Sequence, residues 1–188
     1  MQAAAAHYQV AIIGAGFGGL AMAIRLLQRN IHNFLILEKS NEVGGTWREN
    51  QYPGAACDVQ SHLYSLSFAP KTDWSKRYAD APEIFQYIQD VVQQFNLRKY
   101  CQFNSEVVHT EYHEKECLWH VTLKDGRQMS CQYLIFASGP LHVPQIPHIK
   151  GIEKFQGKVF HSSQWANSNM RCDSLKSLMI INKLSKFL

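Results

Sequence analysis

The order of apolar and polar positions near the start of the chain predicts a strand, a tight turn and a helix. Residues 10–13 form a short apolar run, typical of a buried strand, and a glycine-rich turn follows it directly. Beyond the turn, apolar residues recur at helical spacing, at Leu20, Ala23, Ile24 and Leu27. A second apolar run at residues 34–37 completes a βαβ unit, which is typical of an α/β fold with a parallel sheet.

A long loop and a second helix are expected next. The loop extends from about residue 39 to residue 61, and a helix is predicted from about Asp80, a suitable N-cap residue, with Pro82 in its first turn. The apolar face of this helix, interpreted as core, consists of Ile84, Phe85, Ile88, Val91, Val92 and Phe95.

The pattern then changes to short strands. Three of them are predicted, at residues 103–112, 117–123 and 128–131. Asp125-Gly126 is a strong hairpin signal between the last two. We expect an antiparallel meander at about residues 103–131, inserted before a buried parallel strand at residues 133–139. The predicted fold class is therefore a Rossmann-like α/β domain, with a parallel sheet, helices and an inserted meander.

Each glycine of the GxGxxG turn has a physical reason. Gly14 permits the tight turn, Gly16 lets a pyrophosphate approach the backbone, and Gly19 lets the helix pack closely on the strand. The helix N-terminus offers unpaired N–H groups and the positive end of its dipole to that pyrophosphate. Glu38, 19 residues after Gly19 at the end of the next strand, is placed to bind a ribose and to repel a 2′-phosphate. This register favours a dinucleotide site over a purely structural βαβ unit.

The loop after Glu38 has the composition of a functional loop. A loop this long inside a compact domain is usually functional or disordered. Gly44 and Gly45 permit close backbone approach, and Thr46 and Trp47 offer a hydroxyl and a large flat ring. Taken singly, Trp47 is also consistent with an aromatic that caps the core, and Asp58 with a turn-forming residue.

Bulk composition is that of an ordinary globular protein. The 188 residues are 46% hydrophobic and 18% charged, with a net charge of +4, and the basic residues are scattered, so we expect no nucleic-acid partner. No apolar run is long enough to span a bilayer, and the first residues lack the positive region of a signal peptide.

The cysteines and histidines favour neither disulfides nor metal. Five cysteines without a CxxC pair indicate free thiols in a reducing cytoplasm and speak against a disulfide reductase. The nine histidines show no HExxH or similar spacing, so no metal site is expected.

Several motifs resemble those of one enzyme family. GAGFGG with Glu38, GGTW, YPGAACDV, FASGP and FxGxxxHxxxW occur in the order found in class B flavoprotein monooxygenases, most closely the Baeyer–Villiger monooxygenases. The last motif is that family's own signature and is much more specific than GxGxxG. The stretch PGAACDVQSHLYSLSF resembles the branch that includes hydroxyacetophenone monooxygenases. The resemblance covers about residues 8–165.

The resemblance implies which residues hold FAD. They are Gly14, Ala15, Gly16, Phe17, Gly18, Gly19, Glu38, Lys39, Gly45, Thr46, Trp47, Asp58, Tyr64 and Val107. Thr46 and Trp47 would line the flavin side, and Tyr64 would lie near the flavin. Asp58 is the expected catalytic residue, because in the family this acid orients an active-site arginine. The backbone of Val107 would meet the adenine.

The resemblance also implies an activity. In the family NADPH reduces FAD, and O₂ is then used to oxygenate a ketone to an ester or lactone, or to oxygenate a soft heteroatom. Phe155, Gly157, His161 and Trp165 match the linker between the FAD and NADPH domains. The predicted organisation is an FAD-binding domain at residues 1–147, that linker at residues 148–165, and a divergent tail at residues 166–188.

The tail departs from the family pattern. Family members continue with a short linker and a second strand followed by GxGxxG for NADPH, whereas Asn182 and Lys183 follow the apolar run SLMII here. We therefore expect an N-terminal fragment, inactive by itself and prone to self-association because part of its sheet is uncovered. Two alternatives stay open: a flavin-containing N- or S-oxygenating monooxygenase, and a non-enzymatic truncated product that binds FAD weakly or not at all.

Overall fold

The main sheet has six strands. The computed structural model describes residues 6–140, 144, 145, 147–165 and 177–180. The strands of the main sheet are β1 (Ala6–Ile13), β2 (Phe34–Leu37), β3 (Cys101–Gln102), β4 (Val107–His113), β5 (Leu118–Leu123) and β6 (Gln128–Phe136). Their spatial order is β3-β2-β1-β6-β5-β4, so the first strand of the chain lies near the centre.

The centre of the sheet is parallel, as predicted. β1 pairs in parallel with β2 and with β6, and Val10 lies opposite Phe34 on one side and Tyr133 on the other. β3 extends the parallel part beyond β2, whereas β4 and β5 are antiparallel. Because β1 pairs with both β2 and β6, the carboxyl ends of these two strands lie on either side of the glycine turn. This end of a parallel sheet is where α/β folds bind ligands.

Within the described residues, three α-helices accompany the sheet: α1 (Phe17–Gln28), α2 (Thr46–Glu49) and α3 (Ala81–Gln94). Short 3₁₀ helices lie at Ser61–Leu63, Arg98–Tyr100, Ile152–Lys154 and Ser162–Gln164. The helix predicted from Asp80 is present with Pro82 in its first turn, although the Asp80 side chain pairs with Lys76 and does not cap the helix. The predicted loop at residues 39–61 contains the single turn α2, because Gly44 and Gly45 take positive φ and start a helix there.

The core lies on both faces of the central strands. Val10 and Ile12 of β1 join α1 and α3 in the larger cluster, in which Ile24 and Ile84 are fully buried. Alternate residues point to the opposite face, where Ala11 packs in a smaller cluster. The other buried members of that cluster are Leu35, Leu37, Val121, Leu123, Met129 and Cys131.

The two strands predicted at residues 128–131 and 133–139 are one continuous strand, β6. The sequence expectation of separate elements was wrong, because β6 pairs with β5 through its first half and with β1 along almost its whole length. The expectation of full burial was also wrong. Tyr133 and Phe136 are 62% and 63% exposed, while Leu134 and Ile135 between them pack against the two clusters.

The meander begins later than predicted. Residues 103–106 lie outside the strand, and β4 starts at Val107 with a register shift before His109. The hairpin at Asp125-Gly126 is confirmed, since Gly126 has a φ of 87° and its N–H donates to the Leu123 carbonyl. The meander continues the main sheet from β6 outward and does not form a separate layer.

A second, two-stranded sheet follows. β7 (Lys158–His161) pairs in parallel with β8 (Ser177–Ile180), so the apolar run SLMII supplies a strand. The rest of the predicted tail at residues 166–188 lies outside the described residues. None of the helices that the structure describes has the length and apolar character needed to cross a membrane.

Candidate functional site

A cavity of about 700 Å³ opens at the carboxyl ends of β1, β2 and β6. Its size falls within the range of about 300–1,000 Å³ typical of small-molecule sites. The three strands contribute Gly14, Glu38 and Ala137 to the lining, each directly after or at a strand end. The topology therefore places the glycine turn and the strand-end carboxylate predicted from the sequence in one site.

The glycine turn is tightly packed against its neighbours. Gly14 has a φ of 105°, and its N–H donates to the Leu37 carbonyl at 2.8 Å. A Cβ at Gly14 would lie 2.6 Å from the Ala137 carbonyl oxygen, and one at Gly19 would lie 1.9 Å from the Gly14 carbonyl oxygen. Both distances are far below van der Waals contact, so the turn accepts only glycine at these two positions.

Gly16 and Gly45 leave space for an approaching group. A Cβ on Gly45 would come within 3.2 Å of the Gly16 Cα, so the two backbones lie close together in the cavity wall. Gly16 is the N-cap of α1 and has no side-chain cap, and the first turn of the helix contains no acidic residue. The uncapped N–H groups and the positive end of the helix dipole favour an anion here.

Glu38 is a buried carboxylate that ties β2 to the glycine turn. One of its oxygens accepts a hydrogen bond from the Ala15 N–H at 2.9 Å, and the other accepts one from the Ser40 N–H at 2.9 Å. The residue is 5% exposed and lines the cavity. Because a carboxylate has about four acceptor positions, two remain for a ligand hydroxyl.

Arg48 lies behind this carboxylate and balances its charge. Its guanidinium is 3.8 Å from Glu38 and donates to Glu49 at 2.8 Å and to the Glu42 carbonyl at 2.8 Å. Glu49 also lies 3.7 Å from Lys39. These contacts hold α2 against the end of β2 and keep the buried carboxylate paired.

Aromatic side chains form another wall of the cavity. Trp47 donates from Nε1 to the Tyr64 hydroxyl at 3.0 Å, and the two rings pack edge to face at 5.6 Å. Phe17 packs edge to face on Tyr64 at 5.3 Å. Burial raises the pKa of Tyr64, so the hydroxyl stays protonated near neutral pH. Trp47 thus both lines the cavity and packs on the core, as the two readings of the sequence allowed.

Asp58 and Val107 also line the cavity, together with Cys57. Asp58 is exposed, and Cys57 beside it is buried. Burial raises the pKa of the Cys57 thiol, and the charge of Asp58 raises it further. The structure therefore puts the predicted catalytic acid at the cavity surface, near the aromatic wall, where it stays accessible to a bound group.

His161 is the member of the linker motif that reaches the cavity. It is 2% exposed, and its Nδ1 lies 2.8 Å from the Ser163 hydroxyl and accepts from the Ser163 N–H at 3.2 Å. Its Nε2 is buried and has no hydrogen-bond partner among the described residues. A buried polar atom without a partner is costly, so its place in the cavity lining fits a site that receives a polar ligand.

The other motif residues lie away from the cavity lining. Phe155 is 41% exposed, and Trp165 packs edge to face on Phe160 at 5.4 Å. Gly157 is partly buried before β7. Two of the predicted FAD-binding residues, Ala15 and Gly19, also do not line the cavity, and they act through the backbone of the turn.

Several lining residues were not predicted. They are Ile13, Leu37, Glu49, Asn50, Tyr52, Ala55, Ala56, Cys57, Ser105, Glu106, Ala137, Ser138, Gly139 and Ser162. For Ala137 and Ser138 a signal was available. A parallel strand beside β1 must end next to the glycine turn, so the residues that follow it belong to the site.

One protein-family profile matches most of the chain. The family is described as pyridine nucleotide-disulphide oxidoreductase, and the match covers residues 11–172. The chain belongs to this family. The family name refers to disulfide chemistry, yet the four cysteines among the described residues, Cys57, Cys101, Cys117 and Cys131, are free thiols.

Curated relatives carry names that agree with the motif resemblance. A Baeyer–Villiger monooxygenase of Pseudomonas aeruginosa is 46% identical over 163 residues, which are 87% of this chain and 31% of the relative. A Baeyer–Villiger monooxygenase of Streptomyces coelicolor is 43% identical over 159 residues, 85% of this chain and 30% of the relative. The predicted resemblance is confirmed, and the chain spans about a third of the length of the relatives it matches.

Solved structures give the same result for the fold. Cyclohexanone monooxygenase from Rhodococcus sp. Phi1 bound to NADP⁺ is 32% identical, with a TM-score of 0.80 over 89% of this chain and 32% of that chain. OTEMO in complex with FAD and NADP is 36% identical, with a TM-score of 0.77 over 85% of this chain and 31% of that chain. The predicted Rossmann-like fold with its meander is therefore confirmed.

Proposed function

We propose that the cavity binds FAD, with the pyrophosphate at the N-terminus of α1 and the adenosine ribose at Glu38. The observation that carries this proposal is the junction of Gly14, Gly16 and Glu38 at the ends of β1 and β2, beside an uncapped helix N-terminus. The anion preference of the helix and the free acceptor positions of the carboxylate match the two chemical groups of the adenosine half. A 2′-phosphate would be repelled by the same carboxylate, so FAD is preferred to NADPH here.

The remaining lining residues suit the flavin half. Thr46, Trp47 and Tyr64 offer a hydroxyl and two flat rings. We assign Lys39 and Val107 to the adenosine half, because Lys39 follows Glu38 and the N–H of Ser105, two residues before Val107, donates to the Glu38 carbonyl. Bound FAD would supply the redox chemistry, and the protein would bind it, orient it and exclude water. In this proposal His161 donates or accepts at Nε2 toward the bound group, and Asp58 orients a cationic side chain near it.

We infer that the activity of the complete enzyme is Baeyer–Villiger oxygenation. The names of the relatives support it over N- or S-oxygenation and over a non-enzymatic product, and solved relatives hold FAD and NADP. The partners would be O₂, NADPH and a small ketone or heteroatom substrate. The free thiols support a reducing, cytoplasmic setting, and exposed Tyr133 and Phe136 are apolar side chains available for self-association.

FAD binding is tested by a titration of two glycine variants. Gly16→Ala adds a methyl group to the cavity wall, and its Cβ meets only the Gly45 Cα at 3.8 Å, so the fold is undisturbed. We expect the quenching of flavin fluorescence by the wild-type chain to saturate, and the affinity to fall clearly in Gly16→Ala.

The control is Gly126→Ala, which places a methyl at a positive-φ turn with nothing within 4 Å, outside the cavity. It costs stability through backbone strain, yet it should bind FAD as the wild type does. If the wild type and Gly16→Ala are both folded and bind FAD with equal affinity, the pyrophosphate does not bind at the glycine turn.

The expected lack of NADPH turnover is tested separately. The sequence contains a single GxGxxG turn, and its carboxylate disfavours the 2′-phosphate of NADPH. We expect the chain mixed with FAD and NADPH under air to consume NADPH no faster than free FAD does. Consumption well above that blank, measured at the nicotinamide absorbance band, would mean that the 188-residue chain is a complete enzyme.

A further inference from the structure

The β4–β5 hairpin presents a row of titratable side chains on one of its faces. The strands pair so that Glu111 lies opposite His120, and His113 lies diagonally from His120 on the same face. The opposite face holds Tyr112 and Trp119, whose rings pack at 5.3 Å. This hairpin lies at the edge of the main sheet, and apart from Val107 at the start of β4 none of its residues lines the cavity.

The two histidines of this row converge with Glu116 at the hairpin turn. His113, Glu116 and His120 each offer a ligand atom, and these atoms lie within 4.8 Å of one another. The Glu116 carboxylate lies 2.8 Å from His120 Nε2 and 3.9 Å from His113 Nδ1. The imidazole rings of His113 and His120 stack with their centroids 4.0 Å apart.

A fourth residue orients one of the imidazoles. Glu111 lies 3.4 Å from His113 Nε2, so it can hold this nitrogen protonated and leave Nδ1 free to act as a ligand. A carboxylate that fixes the far nitrogen of a ligating histidine is the usual outer partner in metal sites. The same turn carries two acidic residues, Glu114 and Glu116, and one basic residue, Lys115. Its net negative charge also attracts a cation.

We propose that His113 Nδ1, Glu116 and His120 Nε2 bind a divalent transition-metal ion such as Zn²⁺ at the tip of this hairpin. Two imidazoles and a carboxylate suit Zn²⁺ and its neighbours, whereas Ca²⁺ and Mg²⁺ prefer oxygen ligands alone. With metal–nitrogen bonds of about 2.0–2.1 Å, tetrahedral ligand atoms lie about 3.4 Å apart. The side chains are 38%, 53% and 41% exposed, so rotation about their χ angles brings the atoms to that spacing without moving the strands. Water completes the shell.

The hydrogen bond between Glu116 and His120 fits this proposal. It lowers the pKa of Glu116, whose carboxylate is therefore ionised and ready to bind a cation. A metal ion takes the place of the proton shared between Glu116 and His120, so binding releases a proton. His109 lies 3.9 Å from Glu111 and belongs to the same row.

Calorimetric titration of the 188-residue chain with Zn²⁺ tests the site. We expect a saturable site of one ion per chain. His113→Ala and His120→Ala should each lower the affinity by at least about tenfold, because even partners outside the ligand shell typically cost about 10–100-fold. Both side chains are partly exposed, and circular dichroism of the metal-free variants checks that they fold. Glu111→Gln should give a smaller loss, as an orienting partner does.

Two controls make the test specific. His62→Ala removes an exposed histidine far from the hairpin in sequence and should leave Zn²⁺ affinity unchanged. Cys117→Ser removes the exposed thiol of the turn, whose Sγ bonds to the Glu114 carbonyl, and should also leave it unchanged. The proposal is overturned if the wild-type chain shows no saturable Zn²⁺ binding. It is also overturned if Zn²⁺ affinity is unchanged in both histidine variants, or if binding is lost in Cys117→Ser.

Discussion

The cavity and the tip of the β4–β5 hairpin bring polar groups together in opposite ways. The cavity is assembled from residues as distant as Gly14 and His161, and most of its polar contacts involve backbone groups or buried side chains. The hairpin cluster joins residues 111–120 through exposed side chains and cross-strand register. The first is fixed by the packing of the whole fold, while the second depends on a local hairpin.

This difference predicts where substitutions act. A substitution at Gly14 or Gly19 of the turn meets backbone atoms that cannot move, so it affects stability and ligand binding together. A change at the hairpin tip removes a ligand atom and leaves the core clusters intact. Stability measurements should therefore separate the two regions before any ligand is added.

The largest effect is expected at Gly19. A Cβ there would lie 1.9 Å from the Gly14 carbonyl oxygen, so Gly19→Ala must push α1 away from β1 and should cost about 3 kcal/mol or more of unfolding free energy. The matched variant Gly18→Ala meets only the Ala137 Cβ at 3.8 Å and should change that free energy by no more than about 1 kcal/mol. Chemical denaturation of both variants measures the difference, and equal stability would contradict the close helix–strand contact.

Glu38 should show an intermediate effect that depends on the replacement. Glu38→Gln keeps one acceptor oxygen for the N–H groups of Ala15 and Ser40, and leaving a buried donor unpaired costs about 1–3 kcal/mol. Glu38→Arg removes both acceptors and adds a cation beside Arg48, so it should lose more stability and more FAD affinity.

Glu42→Gln is the control for these variants, because Glu42 pairs with Arg98 at 2.8 Å outside the cavity. It should bind FAD as the wild type does. Identical FAD affinity in Glu38→Gln and Glu38→Arg would show that Glu38 does not hold the ribose.

The smallest effect contrasts one thiol from each region. Burial raises the pKa of Cys57 in the cavity, whereas Cys117 at the hairpin tip is exposed. The pKa of Cys57 is higher in the folded than in the unfolded chain, so the neutral thiol contributes to stability. That contribution is fully present below the ordinary thiol pKa and is lost as the pH rises through the folded pKa. Alkylation by iodoacetamide at mildly alkaline pH, followed by peptide mass spectrometry, should label Cys117 first. Faster labelling of Cys57 would mean that the cavity wall is open.

The cavity was largely predictable because its determinants are local in sequence. Gly14, Gly16 and Gly19 followed by a helical pattern fix a strand-turn-helix, and Glu38 closes the next strand. The burial of β6 was misjudged, because an apolar run does not reveal that Tyr133 and Phe136 have no layer over them among the described residues. The role of His161 in the lining follows from the chain path after β6, which no local pattern encodes.

The hairpin cluster could not be predicted from spacing rules. Motifs such as HExxH place their ligands on one element, and the histidines show no such spacing, so the sequence predicts no metal site. His113 and His120 meet because β4 and β5 pair in a register that places them on one face. A one-residue slip in that register would separate them, so the site depends on tertiary pairing that the sequence pattern leaves open.

The most direct test of the central claim is amide hydrogen exchange of the chain with and without FAD. If FAD binds at the glycine turn, peptides covering residues 14–19 and 44–47 should exchange more slowly when FAD is added, because most of these residues line the cavity. Peptides covering residues 111–120 of the hairpin should exchange at the same rate in both samples. Unchanged exchange at residues 14–19 under saturating FAD, or protection confined to the hairpin, would contradict the account.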